Sequence, residues 1–293
     1  MGVKVTEGEA TSVTGEKLYT TSYLPDEPPR AAFVIHHGLA EHIGRYTPMA
    51  TILAEKGIAV FLHDAYGHGK SSGERAYIPS CDTMVADLNS RRATALSEIA
   101  AIWPGEAPAL FLGGHSMGGL IAALAAQAQP VGLAGAVIMS PAMGVPASLG
   151  LVVQEAVAGV LVHIVPRLKA LKVVDPTGLN ADPALVQAYV DDPLNTVAPL
   201  SLKTAVSLRR GMREVFRGAP GLTMPIYAHH GDSDRITHEP FTRRWTEAVG
   251  SQDKTYRLVA GGYHEVLLGP QKDELIDGIA EWILARSAVP ARL

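Results

Sequence analysis

The chain has 293 residues, of which 47% are hydrophobic and 18% charged, and a formal net charge of −4. That balance supports a substantial buried core, excludes a disordered chain, and argues against nucleic acid as a partner. A single cysteine, Cys81, excludes an intramolecular disulfide and a cysteine-built metal site.

The first ten residues have no apolar core and carry Glu7 and Glu9, which does not fit a secretory signal. Lys17–Leu24 reads as a strand, followed by the turn Pro25-Asp26-Glu27-Pro28-Pro29. Ala31–His36 is an apolar strand ending in His37-Gly38. Arg45–Glu55 has helical spacing and closes at Gly57, and Ile58–His63 is another buried-type strand. A long amphipathic helix is expected over Asp82–Trp103, stopped by Pro104-Gly105, with Cys81 as a small apolar residue at its start. Ala109–Gly113 and Gly135–Met139 read as strands flanking a helix that begins after Ser116. Downstream, strands are expected at Pro225–His230 and Thr255–Val259, and helices at about 240–249 and 273–286.

Apolar strands alternating with helices predict a mostly parallel sheet covered on both faces. Between about Ala142 and Gly218 the alternation breaks into apolar helical stretches punctuated by Pro166, Pro176, Pro183 and Pro193, with no convincing strand. The expected organisation is therefore a core of residues 1–141 and 219–293 with a helical cap, 142–218, inserted into it. The longest apolar stretch, Leu149–Val165, is broken by Gln154, Glu155 and His163 and stops at Pro166, too short and too polar to span a bilayer. A cytoplasmic protein is expected. The exposed apolar surface of such a cap would suit peripheral contact with a membrane or micelle.

Two segments fit Gly-x-Ser-x-Gly. Gly69-Lys70-Ser71-Ser72-Gly73 follows a polar turn and no strand enters it, so it reads as loop; nor is it a phosphate loop, since Asp64 stands where the first glycine belongs. Gly114-His115-Ser116-Met117-Gly118 instead joins an apolar run to an alanine-rich helical run, the context in which a nucleophilic serine sits on a sharp strand-to-helix turn. Serine needs a neutral imidazole as base and a carboxylate to orient it. Loops after the last two strands offer them: Gly231-Asp232-Ser233-Asp234-Arg235 and Gly261-Gly262-Tyr263-His264. Either Asp232 or Asp234 can follow its strand into the loop. The histidine pairs His36/His37 and His229/His230 invite a metal reading, but neighbours on a regular strand face opposite ways and cannot chelate together. No metal and no cofactor are expected.

The chain resembles an α/β-hydrolase of the monoacylglycerol lipase type over nearly its whole length. The resemblance is carried by His36-His37-Gly38-Leu39-Ala40-Glu41-His42-Ile43-Gly44-Arg45-Tyr46, Asp64-Ala65-Tyr66-Gly67-His68-Gly69-Lys70-Ser71, Gly114-His115-Ser116-Met117-Gly118-Gly119, Gly231-Asp232-Ser233-Asp234-Arg235, Gly262-Tyr263-His264 and the cap stretch Tyr189-Val190-Asp191-Asp192-Pro193-Leu194. It implies Ser116 as nucleophile, Asp234 as acid, His264 as base, and the Leu39 and Met117 amides as the oxyanion hole. It also implies Glu41 and Arg45 as a frame beneath the oxyanion loop, with Glu41, Arg45 and Tyr189 as substrate contacts. The implied activity is hydrolysis of a lipid ester, foremost a monoacylglycerol; a lysophospholipase, a broad carboxylesterase and a non-hydrolytic receptor on the same fold are the alternatives. One departure stands out. Animal members place a second histidine three residues after the catalytic one, and here that position is Leu267.

Overall fold

The computed structural model describes residues 2–105, 107–146, 157–171 and 175–287. Its strands are β1 (Val3–Thr11), β2 (Lys17–Pro25), β3 (Ala31–His36), β4 (Ile58–His63), β5 (Ala109–His115), β6 (Leu133–Met139), β7 (Lys169–Leu171), β8 (Leu200–Ser201), β9 (Ile226–Gly231) and β10 (Lys254–Val259). Its helices are α1 (Thr47–Glu55), α2 (Cys81–Ile102), α3 (Met117–Ala128), α4 (Pro183–Asp191), α5 (Leu202–Gly218), α6 (Glu239–Ala248) and α7 (Lys272–Ser287).

Eight strands form one sheet in the order β1-β2-β4-β3-β5-β6-β9-β10. From β4 to β10 all neighbours run parallel, and β2 is antiparallel to both β1 and β4. Alternation along the strands splits the core into two layers. Ala32, Val34, Phe61 and Leu112 face the layer built with α2, α3, α5 and α6, whereas Phe33, Ile35, Val60 and Phe111 face α1 and α7. Parallel strands covered on both sides need apolar residues at nearly every position, which is why β3, β4 and β5 were legible as continuous apolar runs.

Two features differ from the expectation. Strand β1 pairs only with β2 at the sheet edge and is mostly exposed, so it lacks the burial pattern that marks a strand. Between β6 and β9, β7 and β8 pair as a small antiparallel ribbon where no strand was expected. Strands of three and two residues carry no readable alternation. The same stretch holds α4, capped by the Asp182 side chain with Pro183 at its first turn, and α5, capped by Ser201. Of the expected apolar stretch, residues 149–156 lie outside the described residues; 157–161 are helical, and Val157, Val160, Ile164 and Leu168 are exposed. Among the described residues no helix is long and apolar enough to cross a membrane.

Candidate active site

Ser116 stands between β5 and α3 with φ +56° and ψ −119°, backbone angles that a residue with a side chain rarely adopts. The turn is held from both sides. The Ser116 N–H donates to Met139 O at 3.0 Å, and its carbonyl accepts from Leu120 and Ala142 at 3.2 and 2.9 Å. The flanking glycines are required by close approach rather than by freedom of φ. A Cβ on Gly114 would lie 2.2 Å from the Gly118 carbonyl oxygen, and one on Gly118 would lie 2.0 Å from that of His36.

The loop after β3 runs past this elbow. His37 Nε2 accepts from the Ala65 N–H at 2.9 Å, so its Nδ1 carries the proton and donates to Gly38 O at 2.7 Å. Glu41 folds beneath the loop: its Oε1 accepts from the Gly38 N–H at 2.5 Å and from the Tyr46 hydroxyl at 2.6 Å, and its Oε2 accepts from Arg45 Nε at 3.1 Å. Arg45 also donates through Nη2 to Glu265 Oε1. Burial would raise the Glu41 carboxyl, but His115 and Arg45 outweigh it and hold the group well below the usual carboxylate range. Burial raises Glu265, with Arg45 opposing and the charge of Glu41 adding to the rise. Asp64 ties the next turn to this loop, accepting from the Ile43 and Lys70 N–H groups at 2.8 and 2.7 Å.

His264 and Asp234 meet from the loops that follow β10 and β9. His264 Nδ1 lies 2.8 Å from Asp234 Oδ2 and donates to it, which leaves Nε2 as the free nitrogen. Asp234 is fixed in turn: its Oδ1 accepts from the Ile236 and Thr237 N–H groups at 2.7 and 2.9 Å, and its Oδ2 from the Thr237 hydroxyl at 2.8 Å. His230 Nε2 approaches the same Oδ2 at 3.0 Å while its Nδ1 contacts the Thr242 hydroxyl at 2.8 Å. Burial alone would raise Asp234, but His264 and His230 keep it far below the ordinary range. Burial pushes His264 below the usual imidazole value, only part of which Asp234 restores. The imidazole is thus neutral at neutral pH.

Ser116 and His264 line one cavity together with Gly38, Leu39, Glu41, His115, Leu179, Tyr189 and Glu265. A second cleft adjoins it, sharing Glu41, His115 and Glu265 and ending on Arg45, Tyr46, Met49, Leu267 and Leu268. The position of the departing histidine, Leu267, makes that end apolar. Ser116, Met117, Leu39, Glu41, Arg45, Tyr189, Asp234 and His264 are therefore brought to one place. Asp232 is not: it is exposed, and its Oδ1 accepts from the Gly261 N–H at 2.8 Å and the Ser233 hydroxyl at 2.9 Å, bracing the two loops.

Sequence reasoning gave no site role to His115, Glu265, His230, Thr237 or Asp192. His115 Nε2 donates to the His264 carbonyl at 3.1 Å, and Asp192 meets His42 at 2.8 Å. His115 and Glu265 do adjoin the motif residues Ser116 and His264, which was the only available signal, because their partners lie far away in the chain. Among the described residues no three His, Cys, Asp or Glu side chains are grouped to hold a metal ion.

The family model described as serine aminopeptidase, S33, matches residues 27–271. The monoglyceride lipase of Rattus norvegicus is 31% identical over 94% of this chain and 89% of its own. The monoacylglycerol lipase of Mycolicibacterium smegmatis is 31% identical over 93% of this chain and 95% of its own. Among solved structures, that of the Paleococcus ferrophilus monoacylglycerol lipase matches with a TM-score of 0.80 at 31% identity, covering 92% of this chain and 99% of that one. The fold is that of the α/β-hydrolases, and the class is that of the serine hydrolases that cleave carboxylic esters. Within it the chain belongs to the serine aminopeptidase S33 family, in its monoglyceride lipase and esterase group.

Proposed function

We propose that this enzyme hydrolyses monoacylglycerols to fatty acid and glycerol through an acyl-enzyme on Ser116. The observation that carries the reading is the buried pair of Asp234 and His264, 2.8 Å apart, whose histidine lines one cavity with Ser116. His264 takes the Ser116 proton as the hydroxyl attacks the ester carbon, and Asp234 stabilises the imidazolium that forms. The Leu39 and Met117 N–H groups receive the developing oxyanion, each donor in such a hole being worth about 3 kcal/mol of barrier. His264 then protonates the departing alcohol, and water repeats the cycle to free the acid. No cofactor enters these steps.

Substrate class is supported by the relatives and by the shape of the site. Both lipase relatives align over more than nine-tenths of this chain. Beside Ser116 the cavity carries Glu41 and Glu265, and Arg45 lines the cleft that adjoins it, which suits a small hydroxylated leaving group framed by Glu41 and Arg45. Residues 142–218 form the cap in this reading, and the exposed Val157, Val160, Ile164 and Leu168 are its contact with a membrane or micelle. Rates on mono-, di- and triacylglycerols, lysophospholipids and short p-nitrophenyl esters test the proposal. Monoacylglycerols should give the highest kcat/KM; a lysophospholipid or a short ester ahead of them would overturn the substrate assignment. Ser116→Ala should abolish turnover with the fold intact, and an active Ser116→Ala enzyme would remove the mechanism itself.

A further inference from the structure

Residues 189–196 are tied to the loop after β3 at three points. The Tyr189 hydroxyl and the Thr196 N–H both donate to the Ala40 carbonyl, each at 2.9 Å. His42 Nε2 lies 2.8 Å from Asp192 Oδ2. Gly44 N–H donates to His42 Nδ1 at 3.2 Å, so Nε2 is the nitrogen that carries the proton and donates to Asp192. The tying segment is itself braced: Asn195 Nδ2 donates to Tyr189 O and the Leu194 N–H to Asp192 Oδ1, both at 2.9 Å.

What this segment holds is unusual. Ala40 has φ +65°, in the left-handed region that glycine occupies freely and alanine does not. A residue stays in such a pose only where its surroundings force it. Leu39 lies between two anchors, Gly38 fixed from within the loop by Glu41 and Ala40 fixed by Tyr189 and Thr196. Tyr189 is 2% exposed and its hydroxyl is committed to that carbonyl, while its ring lies 4.8 Å below the Arg45 guanidinium.

We propose that Tyr189, Asp192 and Thr196 form a latch that sets the direction of the Leu39 N–H by holding Ala40 in its left-handed conformation. They are positioning residues: they act through the loop, and Tyr189 does so rather than by binding substrate. The arrangement of the segment between β6 and β9 is thereby coupled to stabilisation of the oxyanion. The inference rests on the role proposed for the Leu39 N–H. A latch acting on the oxyanion alone strengthens transition-state binding and leaves ground-state binding unchanged, so its loss falls on kcat.

Tyr189→Phe keeps the ring over Arg45 and removes one tie. Losing one buried neutral hydrogen bond should lower kcat roughly 5- to 10-fold with KM within about twofold. A boronic acid that mimics the tetrahedral oxyanion should bind more weakly by the same factor. Adding Ala40→Gly, which removes the strain that the latch opposes, should recover part of the loss. Should Tyr189→Phe not fold, Asp192→Ala, which cuts the tie through His42, carries the same readouts. A rise in KM with kcat unchanged would make Tyr189 a substrate contact and overturn the latch; so would wild-type kinetics and boronate affinity. Either result is distinct from failure of the parent reading, which an active Ser116→Ala enzyme alone would signal.

Discussion

Acid should unfold this protein through a group of buried imidazoles that take no part in the proposed chemistry. His36, His37, His63 and His68 pack around the carboxyl ends of β3 and β4, with ring centroids 5.1 to 5.3 Å apart in the pairs His36–His37, His36–His63 and His37–His68. His229 is buried on β9, and neither ring nitrogen of His63 or His229 has a hydrogen-bond partner among the described residues. Burial pushes His37 down to about 4 and His63, His68 and His229 down to about 3. An unfolded histidine titrates near 6.5, so the unfolded chain binds more protons than the folded one at any pH between those values. Stability is fully present above about pH 6.5 and is lost as pH falls toward 4 and then 3, each group contributing a slope of about 1.4 kcal/mol per pH unit. From pH 7 to 5 each costs about 2 kcal/mol, and the four together about 8 kcal/mol, as large as the whole stability of a typical domain. Asp64, Asp87 and Glu265, whose pKa values burial raises, oppose the trend. Single histidine variants are therefore the decisive measurement. Urea unfolding of His63→Leu and His229→Leu at pH 7, 6 and 5 should show the stability lost between pH 7 and 5 reduced by about 2 kcal/mol in each variant against wild type. A loss unchanged in both variants would refute the reasoning.

The acid assignment predicts that Asp234→Asn lowers kcat by orders of magnitude, because an amide cannot hold the His264 proton, whereas Asp232→Asn stays within a fewfold of wild type; steady-state kinetics of the pair would expose the reverse order. Because burial holds His264 below the ordinary imidazole range, the acid limb of kcat/KM should have its midpoint below about pH 6.5, with activity falling as pH drops through it; a midpoint above pH 7 would mean that the base is another group. Gly118→Ala should destabilise by about 3 kcal/mol or more and lose activity, since its Cβ would meet the His36 and His37 carbonyl oxygens at 2.0 and 2.5 Å, both of them backbone atoms that cannot rotate away. Wild-type melting and activity in that variant would mean the elbow is not packed against β3 in this way.

Much of this architecture was legible because its signals are local. The strands β3 and β4 are apolar at every position but their last, His36 and His63, and their limits match the expectation residue for residue. β5 runs two residues further than its apolar pattern, to His115, because Gly114 and His115 contribute no hydrophobicity yet keep the ladder with β6. The glycine pattern around Ser116 marked the elbow within five residues of sequence, although Gly118 is required by the carbonyls of the distant His36 and His37. What stayed hidden depends on partners far apart in sequence. His230 looked like half of an adjacent histidine pair; only the turn after β9 brings Asp234 back to its Nε2. Glu265 is one residue from His264, but its partner Arg45 lies at the other end of the sheet's chain order, and nothing in either neighbourhood announces the pairing. Strand β1 was invisible for the opposite reason: exposed on most of its length, it has no apolar code to read.

The position of β10 at the sheet edge, paired with β9 alone, also bears on when the enzyme can become active. Ser116 and the loop carrying Leu39 lie on the central strands and leave the ribosome well before His264, which follows the last strand. In the proposed mechanism a nascent chain thus carries its nucleophile, Ser116, before its base, His264, has been made, and a serine without a base is a weak nucleophile. Chain order thereby makes the proposed activity a property of the whole sheet, β10 included, rather than of the elbow alone.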